Sequence, residues 1–297
     1  PFELKKLNRV VGIARNFKPD IIHGAVFEGM TMATVAGVFL KNSIVILEET
    51  SDPQNRSKMA NLLLRLFSWR AHAFQVISEE VGTYLIQKTG VIPEKIKVIP
   101  NGVAIPILLS AQEKDEWNEK LGVAMDDFVV GFVGRLYNDH KRFSDLLEAI
   151  SKVDIDSIKL LIVGDGIDKD LLDSEIKRLK LIDRVIHVGY QPSPSIFYDI
   201  MKVLCVPSAR EGFGLVAAEA MMHSLPVIAT KVGGLQDVVI DDETGFLVPP
   251  FSPQEIAEKI KILAGDSELR NRMGEKGRSR ALENYSAKRY CMEIENL

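Results

Sequence analysis

The 297-residue chain carries 37 Lys and Arg residues against 41 Asp and Glu residues, for a net charge of −4 at pH 7. This acidic balance argues against a general nucleic-acid-binding protein. Two cysteines are too few for a disulfide framework or a cysteine-based metal site, and they favour a reducing, cytoplasmic setting. No apolar run in the sequence reaches the roughly 18 residues that a transmembrane helix requires.

The first hundred residues alternate between short apolar segments and amphipathic segments. We predict β-strands at 20–23, 43–47, 73–77 and 97–99, with helices between them and a first helix at 4–15. Such alternation is typical of a parallel α/β architecture. A turn signal at 100–102 closes this part, and residues 105–113 are the best candidate for a linker.

Segment 56–70 has two interpretations. Apolar residues recur in it at helical spacing: Met59, Leu62, Leu63, Leu66 and Phe67. They describe either a core helix with a basic solvent face, which we favour, or a helix that lies in a membrane interface. Residues 1–100 contain 13 Lys and Arg and 9 Asp and Glu, a net charge of +4. A weak peripheral contact of this first part with an anionic membrane is therefore an open alternative.

The second part of the chain shows the same alternation more regularly. Strands are predicted at 128–133, 159–163, 185–188, 203–206, 226–229 and 246–248. Helices are predicted at 143–151, 169–180, 214–222, 253–263, 269–284 and 287–296. Right-handed crossovers between such strands give a doubly wound sheet. We expect one domain at 1–105, a second at 106–284 and a final helical segment at 285–297.

A strand, a glycine turn and a helix follow one another at 203–222, with two carboxylates. Glu211 precedes the turn, and Glu219 lies in the helix that begins at Gly214. The free N–H groups and positive dipole end of a helix N-terminus suit a phosphate. Ionised carboxylates accept hydrogen bonds from hydroxyl groups. Together they indicate a nucleotide sugar, whereas the segment by itself also fits an ordinary polar turn.

Two cations follow the predicted strand at 128–133, namely Arg135 and Lys141. In open α/β sheets, ligands bind beyond the carboxyl ends of the strands. We therefore expect these cations to lie at the same edge as the glycine turn and to clamp a diphosphate.

Several motifs, in order, resemble glycosyltransferase family 4, whose members are retaining enzymes of the two-domain GT-B fold. They are PDIIH at 19–23, IPNGV at 99–103, FVGRL at 132–136, LIVGDG at 161–166, PS followed by EGFGL at 207–215, and T followed by GG at 230–234. The resemblance implies two Rossmann-like, doubly wound parallel-sheet domains that face each other across a cleft, the first of them incomplete. It also implies that the last helix crosses back to the first domain.

The resemblance assigns roles to individual residues. Arg135 and Lys141 would neutralise the donor diphosphate and act in catalysis together with Glu211. Glu211 would accept hydrogen bonds from the donor sugar, and Glu219 from the ribose. Further donor contacts, mainly through the backbone, would come from Gly134, Gly189, Tyr190, Gly212, Phe213, Gly214 and Leu215. His23 resembles a residue on the acceptor side, although a lone histidine at a strand end is more often structural.

The sequence departs from the family pattern at several positions. The family's first domain is longer at its start, and its glycine-rich closing loop belongs to that stretch. Arg142 stands where the family often has glycine, Ala104 replaces a frequent aspartate, and Asp237 replaces a usual glutamate.

The expected function is that of a retaining glycosyltransferase. It would move a hexose-type sugar from a UDP- or GDP-sugar to a hydroxyl acceptor, which is a glycan, a lipid carrier or a small molecule. The setting would be the synthesis of glycans, glycolipids or cell-surface polysaccharide. No metal or other cofactor is expected, because His140, His187 and His223 lack the spacing of a metal site. The alternatives are a sugar-nucleotide epimerase of the same fold and a non-catalytic module that binds nucleotide sugars.

Overall fold

The computed structural model describes residues 4–50 and 56–297. The chain forms two compact units: Pro1–Pro100 together with Tyr290–Leu297, and Asn101–Arg289. None of the helices described is both long enough and apolar enough to cross a membrane.

The first unit is built on a four-stranded parallel sheet. Its strands are β1 (Ile21–Ala25), β2 (Ile44–Glu49), β3 (Ala73–Val76) and β4 (Ile96–Val98), in the spatial order 1-2-3-4. Its helices are α1 (Leu4–Phe17), α2 (Val26–Phe39), α3 (Lys58–Arg70) and α4 (Glu79–Tyr84), followed by a π-helical turn at Leu85–Thr89 and a 3-10 turn at Pro93–Lys95. Helix α2 packs closely on β1. The two backbones approach each other so closely that a Cβ added to Gly24 would lie 2.4 Å from the carbonyl oxygen of Gly29. Each strand lies within two residues of its predicted position.

Helix α3 forms where expected, but the predicted core face is wrong. The structure buries Leu64 and Phe67, and the Phe67 ring packs 6.1 Å from that of Phe27. Three residues of the predicted apolar stripe are exposed instead: Met59 by 66%, Leu62 by 51% and Leu66 by 59%. Periodicity identifies an apolar arc of a helix, but the neighbouring elements decide which arc faces the core.

The second unit is built on a six-stranded parallel sheet. Its strands are β5 (Phe128–Val133), β6 (Ile158–Val163), β7 (Val185–His187), β8 (Val203–Val206), β9 (Val227–Thr230) and β10 (Gly245–Val248). Their spatial order is 10-9-8-5-6-7, so the chain winds outward from β5 to β7 and then returns to place β8 on the other side of β5. This is the doubly wound order of a Rossmann fold, and the direction of winding reverses between β5 and β8.

Ten helices or helical turns complete the described part of the chain from residue 101 onward. They are α5 (Ala111–Leu121), α6 (Asn138–Lys141), α7 (Phe143–Ser151), α8 (Lys169–Arg178), α9 (Ser195–Ile200), α10 (Leu215–Met222), α11 (Leu235–Val238), α12 (Pro253–Gly265), α13 (Ser267–Asn284) and α14 (Ala287–Glu295). Helix α5 begins inside the predicted linker, because Ser110 and Glu113 form a reciprocal capping box.

The core of the second unit lies between its sheet and the flanking helices. Fully buried side chains from the central strands include Val130, Leu160 and Val203, which belong to one cluster with Leu146 of α7 and Ile260 of α12. Cys205 is part of this cluster, and burial raises the pKa of its thiol. The strands are short, apolar and rich in β-branched residues because both faces of the sheet are covered.

Candidate functional site

The carboxyl ends of β5 and β8 meet at the reversal of the second sheet. The register pairs Val130 with Val203 and Gly131 with Leu204. The segments that leave these strands, Gly134 onward and Pro207 onward, therefore emerge side by side at one edge. A crevice opens at such a reversal because the connecting chains turn away to opposite faces of the sheet.

A pocket lies at the ends of β5 and β6. It has a volume of about 210 Å³, and its lining includes Gly134, Arg135, Gly164, Asp165, Tyr190 and Pro194. Gly164 has a φ of +141°, and a Cβ there would lie 1.8 Å from the carbonyl oxygen of Gly134, so only glycine fits. Three residues predicted for the site, Gly134, Arg135 and Tyr190, share this pocket. The ring of Tyr190 is 71% exposed, and Gly189 accepts a hydrogen bond from Gly164 N at 2.8 Å.

Lys141 and Glu211 contact each other directly. Lys141 Nζ lies 2.5 Å from Glu211 Oε2, and both side chains are largely buried. Ser208 also donates a weaker hydrogen bond to the same carboxylate oxygen, at 3.4 Å. The structure therefore joins two residues that the sequence assigned to different parts of a ligand.

The double-glycine loop at Gly233 and Gly234 contacts the backbone of Glu211 and holds it in place. Gly234 N donates to the carbonyl oxygen of Glu211 at 3.1 Å. Gly233 has a φ of +50°, and a Cβ there would lie 1.6 Å from the same oxygen. Thr230 Oγ1 donates to the carbonyl oxygen of Ser208 at 2.5 Å. These contacts fix the loop that presents Glu211.

The turn before α10 presents free donors. Within the described residues, the backbone N–H groups of Gly212, Phe213, Gly214 and Leu215 donate no hydrogen bond. Gly214 has a φ of +101°, and helix α10 begins at the next residue. The Phe213 side chain is buried and packs against Tyr285 at a ring distance of 5.5 Å, so only its backbone is available to a ligand. Such a cluster of N–H groups suits an anion.

Glu219 lies on α10 and is held by a tyrosine that the sequence did not single out. Tyr198 Oη donates to Glu219 Oε2 at 2.7 Å. Burial raises the pKa of Glu219, although the hydrogen bond from Tyr198 and the nearby His223 oppose the shift. Burial and the adjacent carboxylate raise the pKa of Tyr198 well above its ordinary value. A carboxylate has about four lone-pair sites, so Glu219 retains acceptors for ligand hydroxyls.

Cations dominate the surroundings of α6. Arg210 contacts His140 Nε2 at 3.1 Å. Burial lowers the pKa of His140, and the positive charges of Arg210, Lys141 and Arg135 lower it further. All three cations thus act on one imidazole, and the neighbouring Asp139 opposes them. Arg142 adopts a left-handed conformation with a φ of +49°, which glycine tolerates more easily than other residues, and its side chain forms an ion pair with Asp145.

His23 lies in the first unit, on β1. Its Nε2 is 3.1 Å from Glu48 Oε2. Gln75 Nε2 donates to the other oxygen of Glu48 at 3.3 Å and also contacts Tyr290 Oη at 3.3 Å. His23 is therefore one end of a polar row that crosses three strands. Its proposed role toward an acceptor stays a prediction.

Candidate metal ligands are dispersed. Among the described residues, no three or more His, Cys, Asp or Glu side chains are grouped so that they could hold a metal ion. Helices α9 and α10 are joined by a buried pair of titratable groups, in which His223 Nδ1 lies 2.8 Å from Asp199 Oδ1. Ser195 Oγ is 3.2 Å from the other ring nitrogen of His223. This cluster links α9 to the end of α10.

Comparison with protein families matches both parts of the chain. A model described as "Glycosyl transferases group 1" matches residues 113–280, more than half of the chain. A second, described as "Glycosyltransferase Family 4", matches residues 1–105.

Curated relatives cover the chain to different extents. The capsular polysaccharide biosynthesis glycosyltransferase CapM of Staphylococcus aureus is 28% identical over 99% of this chain and 80% of its own length. The N-acetyl-alpha-D-glucosaminyl L-malate synthase of Bacillus anthracis is 31% identical over 53% of this chain. This chain spans only 42% of that synthase.

Among solved structures, Anabaena Alr3699/HepE in complex with UDP superposes with a TM-score of 0.91 at 25% identity. The match covers 98% of this chain and 80% of that protein. The same protein in complex with UDP and glucose gives a TM-score of 0.90. The two parallel sheets and these likenesses confirm the expected GT-B fold class.

Proposed function

The chain belongs to the glycosyl transferases group 1 family, and on that premise we propose that it transfers a hexose-type sugar from a nucleotide-diphosphate sugar to a hydroxyl group. The observation that carries this proposal is that the candidate phosphate-binding groups come together where the strand order reverses, between β5 and β8. Arg135, Lys141 and the free N–H groups of the turn before α10 lie on the segments that leave these two strands. Few ligands other than a diphosphate need two cations and a helix N-terminus at one edge.

The donor is proposed to be a UDP-sugar. The HepE structures in complex with UDP and with UDP and glucose support uridine diphosphate over guanosine diphosphate. The pocket beside Gly134 and Tyr190 would receive the nucleotide base, and its strand-end glycines allow close approach of the ligand to the backbone. Glu219, on the helix that follows the turn, would accept hydrogen bonds from the ribose.

In the reaction, the bond between the anomeric carbon and the β-phosphate oxygen breaks. Its electron pair goes to the departing phosphate oxygen. The acceptor oxygen forms the new bond to carbon, and its hydroxyl proton passes to the departing diphosphate. Negative charge grows on the diphosphate as this bond breaks. Arg135 and Lys141 would stabilise that growing charge more than they stabilise the bound donor, which is the requirement for catalysis.

Glu211 would position the donor sugar. Its carboxylate is already oriented by Lys141 and by its rigid backbone support on the double-glycine loop. Hydrogen bonds from sugar hydroxyls to the two carboxylate oxygens of Glu211 would hold the anomeric carbon beside the cations. We infer that the new bond forms on the face that the diphosphate leaves, so that the configuration at the anomeric carbon is retained.

The acceptor is proposed to carry a hydroxyl group of a glycan or of a glycolipid. The similarity to CapM, a glycosyltransferase of capsular polysaccharide biosynthesis, supports a role in cell-surface polysaccharide synthesis. We propose that this synthesis takes place at the inner face of a membrane, with a weak peripheral contact through the first unit.

The test is binding of UDP-, GDP- and ADP-glucose by ligand-observed NMR, followed by analysis of products. We expect UDP-glucose to bind and the Glu219→Ala variant to bind it about tenfold more weakly or worse. Glu283→Ala, an exposed change on α13, is the matched control. Failure of all three donors to bind would contradict the proposal. A new sugar nucleotide formed from the donor alone would instead indicate an epimerase.

A further inference from the structure

Arg210 is a half-buried arginine on the segment that leads from β8 to the glycine turn, directly before Glu211. Its guanidinium contacts the imidazole of His140, with 3.1 Å between Nη2 and Nε2. A guanidinium carries several N–H donors and no acceptor. Within the part of the chain that the structure describes, this contact is the sole hydrogen bond of the Arg210 side chain. Most of its donors are therefore available to a ligand.

His140 holds the Arg210 segment against α6 through both its backbone and its side chain. The backbone N–H of Ala209 donates to the carbonyl oxygen of His140 at 2.8 Å. The imidazole stacks on the ring of Tyr137, with 4.7 Å between the ring centres and 29° between the ring planes. Because a guanidinium can only donate, Nε2 of His140 accepts the hydrogen bond and carries no proton. The segments that leave β5 and β8 are thereby joined, and the guanidinium is fixed at their junction.

The arginines at this junction have no carboxylate partner. Lys141 is matched by Glu211 in a largely buried ion pair. Arg135 and Arg210 form no ion pair with any residue that the structure describes. Asp139 of α6 is exposed and is likewise unpaired within those residues. Once the lysine and the glutamate have neutralised each other, the positive charge of both arginines remains for an anionic ligand.

The positions of the two arginines suit different phosphates of a nucleotide diphosphate. Arg135 lines the strand-end pocket that is proposed to receive the base, and it therefore lies toward the α-phosphate. Arg210 precedes Glu211, which is proposed to bind the donor sugar. The sugar is attached to the β-phosphate, so a cation beside Glu211 lies toward that phosphate. The planar fork of a guanidinium can bind two phosphate oxygens at once.

We propose that Arg210 is a third cation of the donor site, which binds the β-phosphate, and that His140 is the positioning residue that orients it. The inference rests on the proposed function and adds two residues to it. Negative charge grows on the β-phosphate oxygen as its bond to the sugar breaks. A guanidinium beside that oxygen would stabilise the transition state more than the bound donor.

The test compares two ligands that differ by one phosphate. UMP carries the α-phosphate alone, so a contact with the β-phosphate affects only the binding of UDP. In calorimetric titrations, we expect Arg210→Gln to lower UDP affinity about tenfold or more and to change UMP affinity less than about twofold. Arg210→Lys keeps the charge without the planar fork and should recover part of the loss. Arg272→Gln, an exposed change on α13, should affect neither ligand.

Variants of His140 separate positioning from packing. His140→Phe keeps an aromatic ring against Tyr137 but removes the acceptor, and it should lower UDP affinity about threefold without changing UMP affinity. His140→Gln keeps a side-chain acceptor and should bind UDP more tightly than His140→Phe. If the contact only stabilised the fold, these variants and Arg210→Gln would lower the affinities for UMP and UDP by equal factors, together with the melting temperature. That result would overturn the proposal.

The failure of this proposal and the failure of the proposed function give different results. If the unmodified chain binds no UDP, both are overturned. If UDP binds, and Arg135→Ala weakens its binding while Arg210→Gln does not, only the role of Arg210 is overturned. The arginine would then serve to tie α6 to the segment that follows β8.

Discussion

Lys141 Nζ lies 2.5 Å from Glu211 Oε2, although 70 residues separate the two in the sequence. One residue follows β5 and the other follows β8, so the reversal of the sheet brings them together. The pair places a cation and a hydrogen-bond acceptor for hydroxyls side by side. In the proposed donor complex, this pair would lie at the junction between the diphosphate and the sugar.

The roles of this pair can be separated by mutation. Lys141→Ala removes a charge that would contact the diphosphate, and we expect UDP affinity to fall about 30-fold or more. Glu211→Gln keeps an acceptor of similar shape and frees Lys141, so UDP affinity should change little while sugar transfer falls. Calorimetric titration with UDP and with UDP-glucose distinguishes the two. A large loss of UDP affinity in Glu211→Gln would show that the carboxylate serves the diphosphate instead.

The Gly233 position is expected to be intolerant of any side chain. An added Cβ would overlap the carbonyl oxygen of Glu211 at 1.6 Å, and the φ of +50° is itself unfavourable for alanine. We expect Gly233→Ala to lower the free energy of unfolding by about 2–4 kcal/mol and to weaken donor binding. Urea denaturation followed by Trp117 fluorescence measures the stability of this unit.

Two other glycines serve as controls for that change. Gly122 has a φ of +67° with nothing near its missing Cβ, so Gly122→Ala should show the backbone strain alone, about 1 kcal/mol. Gly265 ends α12 with open space around it, and Gly265→Ala should have little effect or stabilise. Equal losses in Gly122→Ala and Gly233→Ala would rule out the steric role of Gly233.

The ionised carboxylate of Glu219 is expected to lower the free energy of unfolding at neutral pH. Burial raises the pKa of this carboxyl above that of the unfolded chain. Its protonated form therefore stabilises the fold at low pH, and this contribution is lost as the pH rises through the raised value. Glu219→Gln should be more stable than the wild type at pH 8, and the difference should shrink toward pH 4. Donor binding should decrease in the same variant.

Thermal melts of Glu219→Gln at several pH values check the sign of this effect. Glu283→Gln, which changes an exposed carboxylate on α13, should show no such pH dependence. A variant that is less stable than the wild type at pH 8 would mean that the Glu219 charge stabilises the fold and needs no functional explanation.

The buried pair of His223 and Asp199, at the end of α10, is expected to stabilise the fold and not to contact the donor. His223 and Asp199 are each only 3% exposed as side chains, and Asp199 also accepts a hydrogen bond from Leu109 N at 2.7 Å. Asp199→Ala leaves Nδ1 of the buried His223 ring and the backbone N–H of Leu109 without partners, which costs about 2–4 kcal/mol. Unfolding of the variant in urea should show this loss, with UDP affinity of the folded protein preserved. Loss of affinity without loss of stability would assign the pair to the site.

Local sequence patterns were sufficient to predict most helices and strands. They did not predict the contacts between residues that are distant in the sequence. The strands of both sheets lie within two residues of their predicted positions, because short apolar β-branched segments between turn signals are distinctive. The spatial order of the strands depends on which crossovers reverse, and the sequence does not encode that locally. The pocket residues Gly164 and Asp165 follow β6 and belong to the LIVGDG motif, but the sequence analysis assigned them no role in the site.

The sequence also did not predict which neighbours surround individual side chains. Tyr198 gave no signal in the sequence, since its importance comes from its hydrogen bond to Glu219. The outward direction of Met59, Leu62 and Leu66 was also missed, because an apolar stripe does not reveal which side of the helix has neighbours. By contrast, spacing and the family resemblance singled out Arg135, Lys141, Glu211 and Glu219. The structure brings Lys141 and Glu211 into contact, and the roles of all four in a donor site stay predictions.

The most direct test of the central claim is the affinity of UDP for the Arg135→Ala variant. Arg135 lines the strand-end pocket and would contact the diphosphate. Arg272→Ala, an exposed change on α13, is the control for loss of a positive charge. We expect UDP affinity to fall about 30-fold or more in Arg135→Ala and to stay unchanged in Arg272→Ala. Equal affinity of both variants and the wild type would contradict a diphosphate site at the junction of β5 and β8.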